Sequence, residues 1–374
     1  MKLDAKSENY DTETEFIYGK QSWGAFYAGG DGDCAIDYAD NQAARYIEES
    51  LQVMKISENA LKTKSVFNIG SGREARVFYE KGARHVTHFD ISRPNVENVR
   101  RFIRDNGAKN FESMQGDIER VPLESNKYDI IFLAGVYQHI EHPGTALVNL
   151  INMLKPGGIM YLGFYRSGEW KYFIVDAIRH LIDKSLFPVI KDATGILYTL
   201  AETHHYQMAR LLDDFFVPCK HNFHPHDVIH DIELLGGEVY HFDQDFREYH
   251  HEGSGYFSIG GDRIYVTKNR STDLKASDFE GRLKTVKGKN QLFDVPYKED
   301  IIKENIELIQ EIRQSRDAGH VSDMQIALLA VSLYQFTRPF VPAESEYYQM
   351  TVKYGRHETL NKYLKNFLKE YAKN

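Results

Sequence analysis

Between residues 65 and 165 the apolar positions come in short runs. Val66–Ile69, Val86–Phe89, Phe111–Met114, Tyr128–Leu133 and Ile159–Phe164 each end at a glycine, an acid or a polar cluster. Short runs rich in Val, Ile, Phe and Tyr predict buried strands. Between them lie segments with helical spacing, at Ala75–Lys81, Val96–Ile103 and Ala146–Leu154. Strand and helix in alternation predict a mostly parallel sheet joined by right-handed crossovers. Ligands of such sheets bind at the carboxyl ends of the strands. Here those ends carry Gly70, Asp90, Asp117 and Ala134. A further helix, Asp40–Met54, precedes the first strand, with Ala44, Ile47 and Leu51 at helical spacing.

After the fifth strand the pattern changes. Residues 166–222 carry helical spacing with aromatics (Trp170, Tyr172, Phe173; Leu197 to Leu212) and predict an inserted cap, because structureless loops of that length are uncommon. Asp227–Leu235 reads as a helix closed by Gly236-Gly237. Val239–Phe242 and Arg263–Thr267 then read as the last two strands. From about Ser271 the chain turns polar and lysine-rich, with helical stretches at Lys298–Arg316, Met324–Phe336 and Glu344–Tyr371. Their apolar positions (Ile301, Ile302, Ile306, Ile309; Ile326, Leu329, Val331, Leu333) need covering, by the catalytic domain or a second copy in preference to a carrier. The expected organisation is an N-terminal flap and helix over 1–60, a nucleotide-binding domain over 61–270 with its cap at about 166–222, and a helical unit over 271–374.

Composition narrows the function. Hydrophobic residues make up 42% and charged residues 27% of 374 positions, as in ordinary globular proteins. A formal charge of −8 argues against a general polyanion binder and leaves room for a local basic site. No apolar run approaches a membrane span, and the N-terminus lacks a signal-peptide core. The two cysteines, Cys34 and Cys219, form no CxxC pair. Together these point to a reduced, cytoplasmic setting. The 24 Tyr and 22 Phe fill a core or line a pocket.

The chemistry starts at Val66-Phe67-Asn68-Ile69-Gly70-Ser71-Gly72-Arg73-Glu74-Ala75. A strand runs into a tight glycine turn and then a helix, so a nucleotide meets bare backbone and free N–H groups. Alone, this stretch fits G-x-G-x-x-A, and Asp90 lies where an acid binds a ribose hydroxyl. A dinucleotide-binding, NAD-type oxidoreductase is therefore a rival on this evidence.

Downstream motifs favour another cofactor. Asn68-Ile69-Gly70-Ser71-Gly72, Phe89-Asp90-Ile91-Ser92, Gly116-Asp117-Ile118, Asp129-Ile130-Ile131-Phe132 with Tyr137-Gln138-His139-Ile140, and Lys155-Pro156-Gly157-Gly158 occur in that order. In this the chain resembles the class I S-adenosylmethionine-dependent methyltransferases, well over about residues 60–165 and loosely over 225–268. The resemblance implies a Rossmann-like α/β fold: a seven-stranded, mostly parallel sheet with helices on both faces, here with an inserted helical cap and a C-terminal all-α unit. It implies S-adenosylmethionine as methyl donor and S-adenosylhomocysteine as product. It assigns cofactor contacts to Asn68, Gly70, Ser71, Gly72, Asp90, Ile91, Gly116, Asp117, Ile118, Ala134 and Gly135. Asp90 accepts from the ribose hydroxyls and Asp117 from the adenine amine, with Ile91 and Ile118 about the ring. Asn68 and Arg73-Glu74 depart from the family pattern, where an acid and smaller residues are usual.

Methyl transfer is an in-line displacement, so the protein orients the nucleophile and, where needed, removes its proton. His139 is the first candidate base, followed by Tyr137 and His142. The loop after the fourth strand lacks the Asn/Asp-Pro-Pro-Tyr/Phe of base-amino methyltransferases, and neither cysteine sits where a C5 nucleophile would. Nucleic acid is thus an unfavoured acceptor, although RNA methylation remains an alternative. A small acceptor methylated on O, N or C, such as a sugar or natural-product intermediate, is expected. Tyr165, Arg166, His205 and His224 are its hypothetical contacts. His226 and His230, spaced i, i+4 beside Asp227 and Asp231, suggest a metal site less strongly than exposed or substrate-facing histidines, and no metal is expected. A non-catalytic adapter built on the helical tail is the alternative from the binding class.

Overall fold

A computed structural model describes residues 33–120, 124–167, 170–198, 214–244, 261–285, 292–293, 299–335 and 356–372. Helix α1 (Asp33–Val53) and a single turn, α2 (Glu58–Leu61), lead into β1 (Ser65–Ile69). Then follow α3 (Arg73–Glu80), β2 (His85–Asp90), α4 (Arg93–Asp105), β3 (Phe111–Gln115), β4 (Tyr128–Leu133), α5 (Pro143–Met153) and β5 (Leu154–Tyr165). The second half adds α6 (Trp170–Leu181), α7 (Phe187–Tyr198), α8 (Pro225–Leu234), β6 (Gly237–Gln244), β7 (Gly261–Lys268), α9 (Asp300–Asp317), α10 (Asp323–Gln335) and α11 (Arg356–Tyr371).

The sheet has seven strands in the order β3-β2-β1-β4-β5-β7-β6. The pairs among β1 to β5 are parallel, and β7 runs antiparallel between β5 and β6. Strand order reverses between β1 and β4, which is where an open α/β sheet leaves a crevice for its ligand. The expected Rossmann-like α/β fold is present.

Burial explains the run-like rather than alternating strands. All five residues of β1 are buried, because helices cover both faces of the sheet. Phe67 and Ile69 face one core, with Leu147, Leu150 and Ile151 of α5 and Val228 and Ile232 of α8. Val66 faces the other, with Ala43, Ile47 and Leu51 of α1 and Ala75 and Phe78 of α3. Both cores form from side chains the periodicity places inward.

Some boundaries move, for physical reasons. Helix α3 begins at Arg73, directly on the glycine turn, rather than at Ala75. β5 begins at Leu154 and runs through Lys155-Pro156-Gly157-Gly158, with Gly157 at φ 75°. α1 starts at Asp33, and the glycine- and aromatic-rich stretch before it lies outside the described residues. The last tail helix is described from Arg356, and residues 336–355 lie outside the description.

The chain divides into two compact units. The first holds the sheet and its helices. It also holds residues 271–285, where Leu274, Ala276, Phe279 and Leu283 pack on the core beside α5. Asp231, fully buried on α8, fixes this segment by accepting from Lys284 N–H (2.8 Å), Thr285 N–H (2.7 Å) and Thr285 Oγ (2.6 Å).

The second unit joins α6 and α7 to the tail helices. There α9 packs on α6 and α11, while α10 packs on α6 and α7. Ile302, Ile309, Ile326, Leu329, Val331 and Leu333 are buried, so much of the apolar face expected to need covering is covered within the chain. Arg313 and Arg316 donate to the carbonyls of His180 and Leu181 at the α6 terminus, which would otherwise be left without partners. Among the described residues no helix is long and apolar enough to cross a membrane.

Candidate active site

The carboxyl ends of β1, β2, β3 and β4 meet around the glycine turn. Gly70 has φ 129° and Gly72 φ 87°, backbone conformations that L side chains rarely adopt. A Cβ on Gly72 would stand 2.2 Å from Val99 Cγ2, so the turn is also sterically closed to anything larger. Gly72 is the N-cap of α3, whose first N–H groups therefore open toward the turn.

Asp90 closes β2 and is 8% exposed. Its carboxylate accepts from Ser92 N–H at 2.5 Å and Asn95 Nδ2 at 3.3 Å. Burial pushes its pKa up to about 7, against those two hydrogen bonds. Gly116 N–H donates to the Asp90 carbonyl at 3.1 Å, which brings the loop after β3 alongside. In that loop Asp117 accepts from Glu119 N–H at 2.9 Å and pairs with Arg120 at 3.2 Å. Ile118 is buried, and the Ile91 carbonyl accepts from Gln115 Nε2 at 3.1 Å. The structure thus brings together Asn68, Gly70, Ser71, Gly72, Asp90, Ile91, Gly116, Asp117 and Ile118, with Ala134 and Gly135 at the end of β4.

Several buried polar atoms here have no hydrogen-bond partner among the described residues. They are Asn68 Oδ1, Ser92 Oγ, Asn95 Oδ1 and both amide atoms of Gln138. Each such group costs about 1–3 kcal/mol when left unsatisfied. Asn68 spends only its Nδ2, on the Phe132 carbonyl at 3.2 Å. Gln138 is fully buried, with Nε2 3.7 Å from where a Cβ on Gly135 would stand. Asn95, Ser92 and Gln138 were not legible as site residues. The available signal was polarity at positions where the pattern expects apolar contact. An acidic, acceptor-rich cradle beside a glycine turn suits a cationic nucleoside better than a pyrophosphate.

The proposed catalytic residues take three different places. His139 sits in the 3-10 turn Tyr137–His139 after β4. Its Nδ1 lies 2.9 Å from the Cys219 carbonyl, which can only accept, so in the neutral ring the proton is on Nδ1 and Nε2 is the basic nitrogen. Tyr165, at the end of β5, meets the His139 ring edge-on at 5.5 Å. Residues 219–223 are stitched to this corner: His221 N–H donates to the Gln138 carbonyl and Phe223 N–H to the Tyr165 carbonyl, both at 2.8 Å.

Tyr137 is fully buried between Phe164 and Phe223, and its hydroxyl donates to Thr285 Oγ1 at 3.2 Å. Burial raises its pKa, which disfavours a phenolate. His142 is largely exposed as the N-cap of α5, with Nδ1 and N–H both directed to Glu119 at 2.6 and 3.0 Å. That pairing clamps the Asp117 loop to α5.

Among the described acceptor candidates, Tyr165 and Arg166 close β5 beside Phe223, the residue before His224. Arg166 makes a two-point ion pair with buried Asp262, at 2.9 and 2.8 Å. His224 is exposed at the start of α8, stacked on His226 at 5.3 Å. His205 lies outside the described residues. His230 bonds Asp231 at 2.9 Å, and Asp231 is already committed to residues 284–285. Among the described residues, no group of three His, Cys, Asp or Glu is arranged to hold a metal ion.

Comparison with known proteins agrees with this geometry. Residues 67–162 match the family model described as a methyltransferase domain. A ubiquinone biosynthesis O-methyltransferase of Rickettsia canadensis is 24% identical over 164 residues, 37% of this chain and 68% of that protein. The mitochondrial 2-methoxy-6-polyprenyl-1,4-benzoquinol methylase of Bos taurus is 24% identical over 196 residues, 44% of this chain. This chain spans 58% of that bovine protein and 30% of an O-methyltransferase from Rickettsia conorii, so likeness to most of these relatives is partial. Among solved structures, the complex of the Haloferax volcanii Trm112 activator with a methyltransferase aligns at 13% identity and TM-score 0.43, covering 67% of this chain and 99% of that one. A methyltransferase domain implies S-adenosylmethionine as methyl donor. By that match and the sheet that carries it, residues 67–162 form a methyltransferase domain of the class I, S-adenosylmethionine-dependent type.

Proposed function

We propose that this chain transfers a methyl group from S-adenosylmethionine to an O, N or C atom of a small-molecule acceptor. The observation that carries this is the cradle at the carboxyl ends of β1 and β2. There a glycine turn, closed to a Cβ at Gly72, faces a buried carboxylate, among polar atoms that have no partner among the described residues. One named relative is a ubiquinone biosynthesis O-methyltransferase and another a benzoquinol methylase, which supports a small acceptor and leaves its identity open.

The cofactor fits the residues present. Asp90 accepts from the two ribose hydroxyls. Asp117 takes the adenine amine, Ile91 and Ile118 flank the ring, and Gly70 to Gly72 with the α3 N-terminus admit the methionine end. Asn68 Oδ1, near the end of β1, adds an acceptor for an ammonium donor. Ala134 and Gly135 line the approach after β4. When bound, the sulfonium supplies an electrophilic methyl carbon. The protein then holds the acceptor in line and receives its proton. His139 Nε2 is the group assigned to that proton, with the Cys219 carbonyl fixing the tautomer. Tyr137 anchors the turn that carries His139, through Phe164, Phe223 and Thr285, and His142 braces the Asp117 loop. Tyr165 and Gln138 stand beside His139 as candidate acceptor contacts.

The test is calorimetry with S-adenosylhomocysteine and NADH, followed by a turnover screen of phenols, amines and sugars. Saturable S-adenosylhomocysteine binding, and release of that product with one acceptor class, is expected. Saturable NADH binding without S-adenosylhomocysteine binding would overturn the proposal.

A further inference from the structure

We propose that His88 is a positioning residue for the cofactor, holding the Gly70–Ser71 peptide so that the Ser71 N–H faces the ligand side. This rests on the methyltransferase reading of the site. His88 lies two residues before Asp90 on β2 and therefore on the same face of the sheet. It is fully buried.

Both ring nitrogens are engaged. Nε2 is 2.7 Å from the Gly70 carbonyl, and a carbonyl only accepts, so Nε2 carries the proton. Nδ1 then accepts, and Ser113 Oγ on β3 donates to it at 2.8 Å. The same hydroxyl lies 3.3 Å from the Val96 carbonyl, but its single proton serves the shorter contact. Burial lowers the imidazole pKa to about 4, so the ring stays neutral and this tautomer persists at working pH.

The consequence lies in peptide geometry. In a trans peptide the carbonyl and the following N–H point in opposite directions. With the Gly70 carbonyl turned to His88, the Ser71 N–H is turned away from it. Gly70 also donates its own N–H to the Phe89 carbonyl at 3.2 Å. Both polar groups of Gly70 are thus registered to β2, the strand that carries Asp90. Glycines permit a peptide flip that other residues resist, and Gly70 at φ 129° and Gly72 at φ 87° give this turn little intrinsic rigidity. The imidazole edge also lies 3.3 Å from a Gly72 Cβ position, filling the space behind the turn. His88 therefore sets the spacing between the donors of the turn and the carboxylate on β2.

The test compares His88→Phe, which keeps the ring and loses the donor, with His88→Gln, which restores an N–H at similar reach. S-adenosylhomocysteine Kd, KM for S-adenosylmethionine, kcat and Tm are measured for each. Loss of one buried hydrogen bond predicts a roughly tenfold rise in Kd and KM for His88→Phe, with kcat at saturating cofactor preserved. His88→Gln recovers most of the affinity, whatever happens to Tm. If His88→Phe does not fold, Ser113→Ala removes the Nδ1 partner and is expected to raise the same KM to a smaller degree. Wild-type Kd and KM in His88→Phe, or in Ser113→Ala where that variant stands in, would overturn the proposal and leave His88 as packing. A wild-type protein that binds no S-adenosylhomocysteine would overturn the methyltransferase reading and this inference with it.

Discussion

The two ends of the central sheet each carry a buried or half-buried aspartate, and they are built in opposite ways. At the amino end, Asp129 of β4 accepts from Ser65 N–H and Ser65 Oγ, both at 2.8 Å, and pairs with Lys155 at 2.9 Å. Burial opposes that charge, but the Ser65 hydrogen bonds and the Lys155 ammonium hold its pKa below the usual range. At the carboxyl end, Asp90 has a backbone N–H and an amide, and burial holds its pKa well above the usual range. Unpartnered polar atoms of Ser92 and Asn95 sit on the same turn. A satisfied carboxylate stabilises the fold. An under-satisfied one keeps hydrogen-bonding capacity in reserve for something that arrives later.

That contrast is open to attack from both ends. Asp90→Ala removes two charge-assisted bonds to the ribose, and a rise of roughly 100-fold in S-adenosylhomocysteine Kd is expected, about 3 kcal/mol. Calorimetry at neutral pH reads it, and an unchanged Kd would break the assignment. His139→Gln is expected to cost about 100-fold in kcat, the lower end of what a positioned base contributes, with cofactor affinity retained. A kcat within a few-fold of wild type would reduce His139 to packing. Asp129→Ala leaves Lys155 and the Ser65 N–H without their partner, and a loss of about 2 kcal/mol in unfolding free energy is expected, read by denaturant titration. Its Kd for S-adenosylhomocysteine stays at the wild-type value, the reverse of the Asp90 variant.

The smallest effect is in pH. Asp90 titrates near 7 in the free protein, and the ribose contact needs the carboxylate. Below pH 7 the bound form must release a proton, so affinity falls by at most about tenfold per unit as pH drops and is flat above. Asp90→Asn abolishes that slope. A wild-type affinity that rises toward acid would contradict the sign.

Much of this was legible in the chain itself, and the reasons are local. The glycine turn and the acids at the strand ends follow from short apolar runs whose order and termini are properties of neighbouring residues. Lys155-Pro156-Gly157-Gly158 and Asp129 were legible as family features, but their shared role at the amino end needed the register of β1, β4 and β5. His88 was hidden because a histidine inside Val86-Thr87-His88-Phe89 reads as an interruption of a strand until the turn behind it is placed. Asp231 looked like a metal candidate beside His230. Besides His230 it holds Lys284 and Thr285, more than fifty residues away, and no periodicity connects them. The tail helices announced their apolar faces, whereas their pairing with α6 and α7 depends on contacts too distant in sequence to be read from pattern.

Whether Asp90 and the glycine turn hold S-adenosylmethionine is decided by calorimetry of the wild-type protein and Asp90→Ala with S-adenosylhomocysteine, with NADH as the control. Saturable binding to the wild type, a loss of roughly two orders of magnitude in the variant, and no NADH binding are expected. Equal affinity in both proteins, or saturable binding of NADH alone, would contradict that assignment.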